Sequence, residues 1–319
     1  MSDSTLTPLV HAAPSIWRPA GTEAAILTEL AWVLVVGAAV ITVLISLLIA
    51  RSIRPRQGHR MRLTWWIWGG GVVFPVVVLT ALLLYSAQRT DTLVAGSRHP
   101  DLVVSVVGRL WWWEMRYRDP VSGRDVVWAN ELRLPVGRRV HLGLASDDVI
   151  HSLWVPELGG KMDLVPGRTN RLLFTPTRAG VYRGQCAEFC GEQHARMALH
   201  VVVMPAAAFD AWLAQRVRAD ADAVAAAPAT AGRRAFQAHG CVVCHATPHS
   251  RDAAARGPTL SGLAQRQALG AGVLPNGPGA VKQWLVGVQG LKPGARMPSY
   301  AHLDADTLDA LAQYVEQLP

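Results

Sequence analysis

Two long apolar stretches dominate the first third of the chain. AAILTELAWVLVVGAAVITVLISLLIA, residues 24 to 50, is interrupted only by Glu29, and LTWWIWGGGVVFPVVVLTALLLY, residues 63 to 85, carries no charge. Each exceeds the roughly 20 residues that cross a bilayer core, so the pattern predicts two transmembrane helices. Buried helices of a soluble core are the weaker reading for runs so long and uniform. Trp65, Trp66 and Trp68 at one end of the second run and Tyr85 at the other stand where an aromatic belt would. The connector RSIRPRQGHRMR holds Arg51, Arg54, Arg56, Arg60 and Arg62 and no acid, which makes it cytoplasmic and puts both termini outside. The first run is too long for the core of a signal peptide.

Between about 100 and 205 the pattern changes to short stretches rich in valine and leucine. These are LVVSVVG (102–108), RRVHLGLAS (138–146), NRLLFTP (170–176) and MALHVVVMP (197–205), divided by Gly, Pro, Asp and Asn turn signals. Val140, Leu142 and Leu144 alternate with Arg139, His141 and Gly143, the period of a half-buried strand. The segment reads as a β-sandwich. Residues 206 to 218 read as a short helix, and ADADAVAAAPATA (219–231) as an Ala-rich linker that Pro228 keeps from being one long helix. The last unit has helical ends. Its final helix starts at Asp304, a good N-cap, and carries Leu308, Leu311, Ala312 and Val315 on one stripe.

Composition agrees with this layout. The 319 residues are 50% hydrophobic and 17% charged, too apolar for an ordinary soluble protein and enough for several domains. The net charge of +8 is mostly arginine and is not gathered into a stripe with interleaved aromatics, so a membrane and not a nucleic acid is the expected partner.

The four cysteines form two close pairs, Cys186/Cys190 and Cys241/Cys244, each followed by a histidine. A disulfide framework is the bland reading, and it ignores the ligand-type residues around both pairs. CVVCH (241–245) has the spacing of covalent haem c attachment: two thiols for the haem edge and His245 for the iron. A thioredoxin-like dithiol or half a zinc site would not need the adjacent histidine. Met297 in GARMPSY is the one methionine after Cys244 and the candidate sixth ligand. Over 232–319 the segment resembles a class I cytochrome c, on GRRAFQAHG, CVVCH, GPTL, RMP and the C-terminal helix. The resemblance implies that the Pro258 carbonyl backs His245. Trp284 reads as a packing residue that could reach the haem.

CAEFCGEQHARM (186–197) supplies two thiols, His194 and Met197. A single blue copper uses one thiolate, two imidazoles and a weak thioether, leaving the second thiolate idle. Two thiolates can instead bridge two coppers, each taking one imidazole and one weak donor. The second imidazole must come from a distant strand, and His151 in DDVIHSLWVP is the best candidate. His141 points to solvent on its strand, and His200 sits among valines. Met197 and a backbone carbonyl are the weak donors.

On HSLWVPELGGKMDLVPGRTN (151–170) and the C-A-E-F-C-G-E-Q-H-A-R-M motif, residues 25 to 215 resemble subunit II of cytochrome c oxidase, with its binuclear CuA centre on a cupredoxin domain. The resemblance implies His151, Cys186, Cys190, His194 and Met197 as ligands, with Glu188 giving its carbonyl and its side chain reaching a magnesium site shared with subunit I. In GRLWWWEM it implies Trp111 as the point where electrons arrive, with Trp112 where tyrosine is usual. It implies subunits I and III as partners, cytochrome c or a quinol–cytochrome c reductase complex as external donor, and a bacterial plasma membrane with the copper and haem domains on its periplasmic side. The family's carboxylate before the second membrane helix has no counterpart: residues 30 to 90 contain no Asp or Glu, which leaves Glu23 or Glu29 to substitute.

The expected architecture is a transmembrane hairpin (24–90) after an outer segment (1–23), an all-β cupredoxin-like sandwich (91–216), an Ala-rich linker (217–231) and an all-α class I cytochrome c domain (232–319). None of the eleven histidines lies in either membrane run, so no intramembrane haem is ligated here. The expected role is electron relay to an oxygen-reducing subunit, with a tethered donor at high effective concentration. The sandwich, with 14 Lys/Arg against 13 Asp/Glu over 91–215, is not the strongly acidic face a soluble carrier would need. Two alternatives share the motifs: the electron-input subunit of a CuA-containing nitric oxide reductase, and a membrane-anchored copper-delivery or thiol-disulfide protein.

Overall fold

The computed structural model describes residues 13–54, 62–95, 100–225, 230–249 and 256–319. Arg56, Arg60 and Pro228, and most of the outer segment 1–23, lie outside these. The chain divides into two compact units, residues 25–99 and the remainder.

The smaller unit is the helical hairpin. One helix runs Thr22–Ile53, and the second begins at Leu63–Trp65, passes through a π-helical stretch Trp66–Val73 and continues over Phe74–Ala95. Both are long and apolar enough to cross a membrane. Leu34, Val40, Leu47, Leu79 and Leu83 are all exposed on them, an arrangement that suits lipid and not water. Glu29 accepts hydrogen bonds from the Tyr85 hydroxyl (2.7 Å) and Arg89 (2.5 Å). This pairing lies at the hairpin end opposite the arginine connector. Glu29 therefore does not replace a carboxylate at that connector, contrary to the expectation above. Glu23 does not either: it is buried and accepts from the Thr175 N–H (2.7 Å) and hydroxyl (2.8 Å).

The larger unit opens with two five-stranded sheets. Its strands are β1 (Leu102–Arg109), β2 (Trp112–Arg118), β3 (Asp125–Ala129), β4 (Glu131–Pro135), β5 (Val140–Ser146), β6 (His151–Trp154), β7 (Met162–Leu164), β8 (Asn170–Phe174), β9 (Gly180–Cys186) and β10 (Ala198–Met204). The sheet orders are β3-β2-β1-β5-β8 and β4-β10-β9-β6-β7. β5 lies parallel to β1 and antiparallel to β8, and its Val140, Leu142 and Leu144 are fully buried while His141 and Gly143 are half-buried. Inner faces of both sheets, with Trp113, Met115, Tyr117, Leu132 and Phe174, make one core. This is the cupredoxin-like sandwich.

A helix over Ala206–Ala225 follows, and Phe209, Trp212 and Leu213 cover one end of that core. The stretch expected to be linker is thus helical as far as Ala225. The reason is intrinsic: alanine is the strongest helix former, and nothing before Pro228 interrupts it. The haem-type domain is built from helices Ala231–Ala238, Ala280–Leu291 and Ala305–Glu316 around a second core. Thr230 caps the first of these through the Arg233 N–H (3.1 Å), and Asp304 caps the last through the Thr307 N–H (2.8 Å).

The sandwich and the helical domain share a packed seam. Trp128 of β3 lies against Gly262, whose positive φ of 67° and lack of a side chain leave room for the indole; a Cβ there would fall 2.3 Å from the ring. Three guanidinium groups surround the same indole, Arg133 at 5.2 Å, Arg216 at 5.1 Å and Arg266 at 5.1 Å, in cation–π geometry. Arg133 donates to the Gln265 carbonyl (3.0 Å), Arg216 to the Pro319 carbonyl (3.0 Å), and the Gln267 N–H to Glu131 (2.9 Å).

Candidate functional site

Two sites result, one in each domain. In the sandwich, β9 delivers Cys186 at its C-terminal end and the following loop returns as β10, so Cys190, His194 and Met197 come from one short connection. β6 neighbours β9 and brings His151 beside it, across 35 positions of sequence.

The thiols of Cys186 and Cys190 are buried, form no disulfide and lie 3.6 Å apart. His151 Nδ1 lies 3.9 Å from the Cys186 sulfur, and His194 Nδ1 lies 3.6 Å from the Cys190 sulfur. The Glu188 carbonyl is 3.2 Å from Cys186, and the Met197 sulfur 3.9 Å from Cys190. The order is therefore imidazole, thiol, thiol, imidazole, with one weak donor on each side. Among the described residues, His151, Cys186 and Cys190 form the one group of three His, Cys, Asp or Glu whose ligand atoms all lie within 4.8 Å. His194 falls outside that group because it flanks the far sulfur. This donor set suits two soft metal ions bridged by thiolates, each with its own imidazole. The hydrogen bond between the thiols holds Cys186 well below the ordinary thiol range and pushes Cys190 up.

Asp148, which motif reading did not single out, accepts at His151 Nε2 (2.8 Å) and so turns Nδ1 toward the sulfur. Burial opposes charge on His151, yet the bonds to Asp148 and Cys186 leave it above its usual value. Asp148 also accepts from the Leu110 N–H (2.8 Å), next to Trp111. The i, i+3 spacing in DDVIH was the available signal. Gly108 was missed too: its bare Cα abuts the His151 ring. The Glu188 carboxylate is about half exposed and 3.9 Å from Lys161. His141 and His200 belong to β5 and β10 and are not in the cluster.

In the helical domain, a cavity of about 530 Å³ is lined by Cys241, Cys244, His245 and Met297, with Trp111 and Trp112 from the sandwich. Its walls are predominantly apolar, as a porphyrin requires. The Pro258 carbonyl accepts from His245 Nδ1 at 2.7 Å, which leaves Nε2 free for a metal. Burial lowers the proton affinity of His245, keeping the imidazole neutral for ligation. Trp284, expected to be packing, also lines the cavity, and its indole N–H points at the Met297 sulfur (3.3 Å). The size, thiols and paired axial candidates fit haem c.

Trp111 connects the two sites. Its indole N–H donates to the Cys190 carbonyl at 2.8 Å, while the residue also lines the haem cavity.

Comparison with known proteins agrees with the geometry. Residues 122–204 match the family described as cytochrome c oxidase subunit II, periplasmic domain, and residues 229–319 match cytochrome c. The cytochrome c oxidase subunit 2 of Alkalihalophilus pseudofirmus is 32% identical over 276 residues, covering 83% of this chain and 75% of that one. That of Bacillus sp. strain PS3 is 31% identical over 284 residues, covering 83% and 76%. Among solved structures, the periplasmic domain of subunit II of cytochrome oxidase of Bradyrhizobium japonicum is 28% identical, with a TM-score of 0.35, and covers 38% of this chain and 96% of that one. The chain belongs to the cytochrome c oxidase subunit 2 family, a subunit of haem-copper oxidases, and carries a cytochrome c domain at its C-terminal end.

Proposed function

We propose that this subunit receives electrons from an external donor at its own haem c and relays them by way of Trp111 to binuclear copper, and from there to the oxygen-reducing subunit I. The observation that carries this is the position of Trp111, bonded to Cys190 and facing the haem cavity. Copper, when bound, would supply one one-electron site, and haem c a second.

The chain's own residues provide the setting. His151, Cys186, Glu188 (through its carbonyl), Cys190, His194 and Met197 hold the metals, and Cys241, Cys244, His245 and Met297 hold the haem. Asp148 and Pro258 each fix one histidine by its non-ligating nitrogen. Sheet cores on one side and Trp111 on the other keep water from the thiols, both nearly buried. The hairpin anchors the subunit with both domains on the periplasmic side, subunit III completes the complex, and cytochrome c or a quinol–cytochrome c reductase complex supplies electrons. A magnesium ion at the Glu188 carboxylate would take its remaining ligands from subunit I.

The test is Cys190→Ser in the purified complex. One thiolate cannot form a doubly bridged centre, so the variant retains at most one copper and loses the electron-sharing hyperfine pattern in EPR. A preserved two-copper pattern refutes the ligand set. In the parent complex, flash reduction of haem c must be followed by reduction of copper, and Trp111→Leu must slow that step with both centres loaded.

A further inference from the structure

One lysine is enclosed in the seam between the two domains. Lys292 ends the helix Ala280–Leu291 and is 5% exposed. Its ammonium reaches three main-chain carbonyls: Trp111 at 2.7 Å, Gly270 at 2.9 Å and Arg196 at 3.2 Å. An ammonium has three donors, and each is used. Two of the acceptors belong to the sandwich and one to the helical domain. The contact is reciprocal, because the Arg196 guanidinium donates back to the Leu291 carbonyl at 3.1 Å.

The choice of residue is informative. Enclosing an ammonium in protein is costly, and burial pushes the Lys292 pKa down to about 7 against the pull of nearby Cys190. An apolar side chain would avoid that cost but would leave three buried acceptors without donors. Its partners are also not arbitrary. Trp111 carries the indole that bonds Cys190, and Arg196 directly precedes Met197. A single cation thus ties the helical domain to both segments that border the thiol pair.

We propose that Lys292 is a positioning residue for internal electron transfer: it clasps the haem domain onto the Trp111 and Arg196 segments and so fixes the haem-to-copper distance. This rests on the relay reading above.

The experiment is Lys292→Met in the full chain within its purified oxidase complex. Copper and haem contents, the haem absorption and the copper EPR pattern stay as in the parent, since Lys292 ligates neither centre. The haem-to-copper transfer rate after flash reduction falls, because all three bonds that hold Lys292 to the Trp111, Arg196 and Gly270 carbonyls are lost. Pulsed EPR between ferric haem and copper shows a broadened distance distribution, a readout that a purely stabilising residue would not move. An unchanged rate with an unchanged distance overturns the proposal, as does loss of either cofactor from the folded variant. If Lys292→Met does not assemble, Arg196→Ala removes the return bond from an exposed side chain; a broadened distance then supports the clasp and an unchanged one overturns it. Absence of haem-to-copper transfer in the parent complex refutes the relay itself and is a separate outcome.

Discussion

Substituting Gly108 by alanine tests how tightly the copper-side histidine is held. A Cβ at Gly108 would stand 2.8 Å from Cδ2 and 3.1 Å from Cγ of His151. Carbon atoms rest at about 3.5–4.0 Å, so the imidazole would have to retreat by about 0.7 Å or more. It has little freedom to do so: the side chain is fully buried, Asp148 holds Nε2 at 2.8 Å, and the Trp113 ring stands 6.2 Å away. Metal–ligand distances tolerate about 0.2 Å, well below the required shift. Overpacking of this kind costs about 1–3 kcal/mol. If that cost falls on the metal-bound state, copper affinity drops about 5- to 150-fold. The assay is chelator titration of the purified complex, followed by its near-infrared band and EPR pattern, with Gly143→Ala as control. Gly143 is on the neighbouring strand β5, and a Cβ there meets only a Thr169 methyl at 3.8 Å, an ordinary contact. An unchanged chelator midpoint in Gly108→Ala, with the two-copper pattern intact, would refute this account of His151.

Three further outcomes are expected. Met297→Ala leaves the haem covalently attached but lowers its potential, because a thioether ligand raises it; an unaltered potential in redox titration removes Met297 from the site. Gly257→Ala places a methyl 2.7 Å from Cε1 of His245 and disturbs the bond to Pro258; a less basic imidazole raises the potential, the opposite sign to Met297→Ala, and equal potentials in parent and variant would show that Gly257 does not support the ligand. Glu23→Ala leaves the part-buried Thr175 N–H without its acceptor and destabilises by about 1–3 kcal/mol, visible as a Tm lowered by several degrees in detergent; an unaltered Tm would mean water satisfies that amide.

How much of this was legible in the sequence depended on range. The membrane helices announced themselves through unbroken apolarity, and β1, β5, β8 and β10 through valine-rich or alternating stretches. β2 and β4 did not, since WWEMRYR and ELRLP mix aromatics, acids and arginines. They bury nearly every position, Glu114 and Glu131 included, by pairing the acids with Arg116 and Arg133. No period survives such a pattern. The donor cluster was legible because five of its members, the Glu188 carbonyl included, lie within twelve residues and chemistry limited the sixth, His151. Lys292 was invisible because its partner Trp111 is 181 positions away, and nothing about a lysine after LVGVQGL signals enclosure. Gly108 and Gly257 were equally silent: each matters for the side chain it lacks, against a ring brought there by the fold.

The bonds that join the two domains at the seam run from guanidinium, ammonium and carboxylate groups to main-chain carbonyls and an amide, around an indole set on a bare glycine. Close hydrogen bonds of that kind, most of them part-buried, are screened far less by dissolved ions than attraction between separate proteins, which fades as the Debye length shrinks to about 3 Å at molar concentrations. On the relay proposed above, delivery by a diffusing carrier will slow as sodium chloride is added, and the handover inside this polypeptide will keep its speed. On that reading the fusion makes the step within the chain insensitive to the ionic surroundings of the cell.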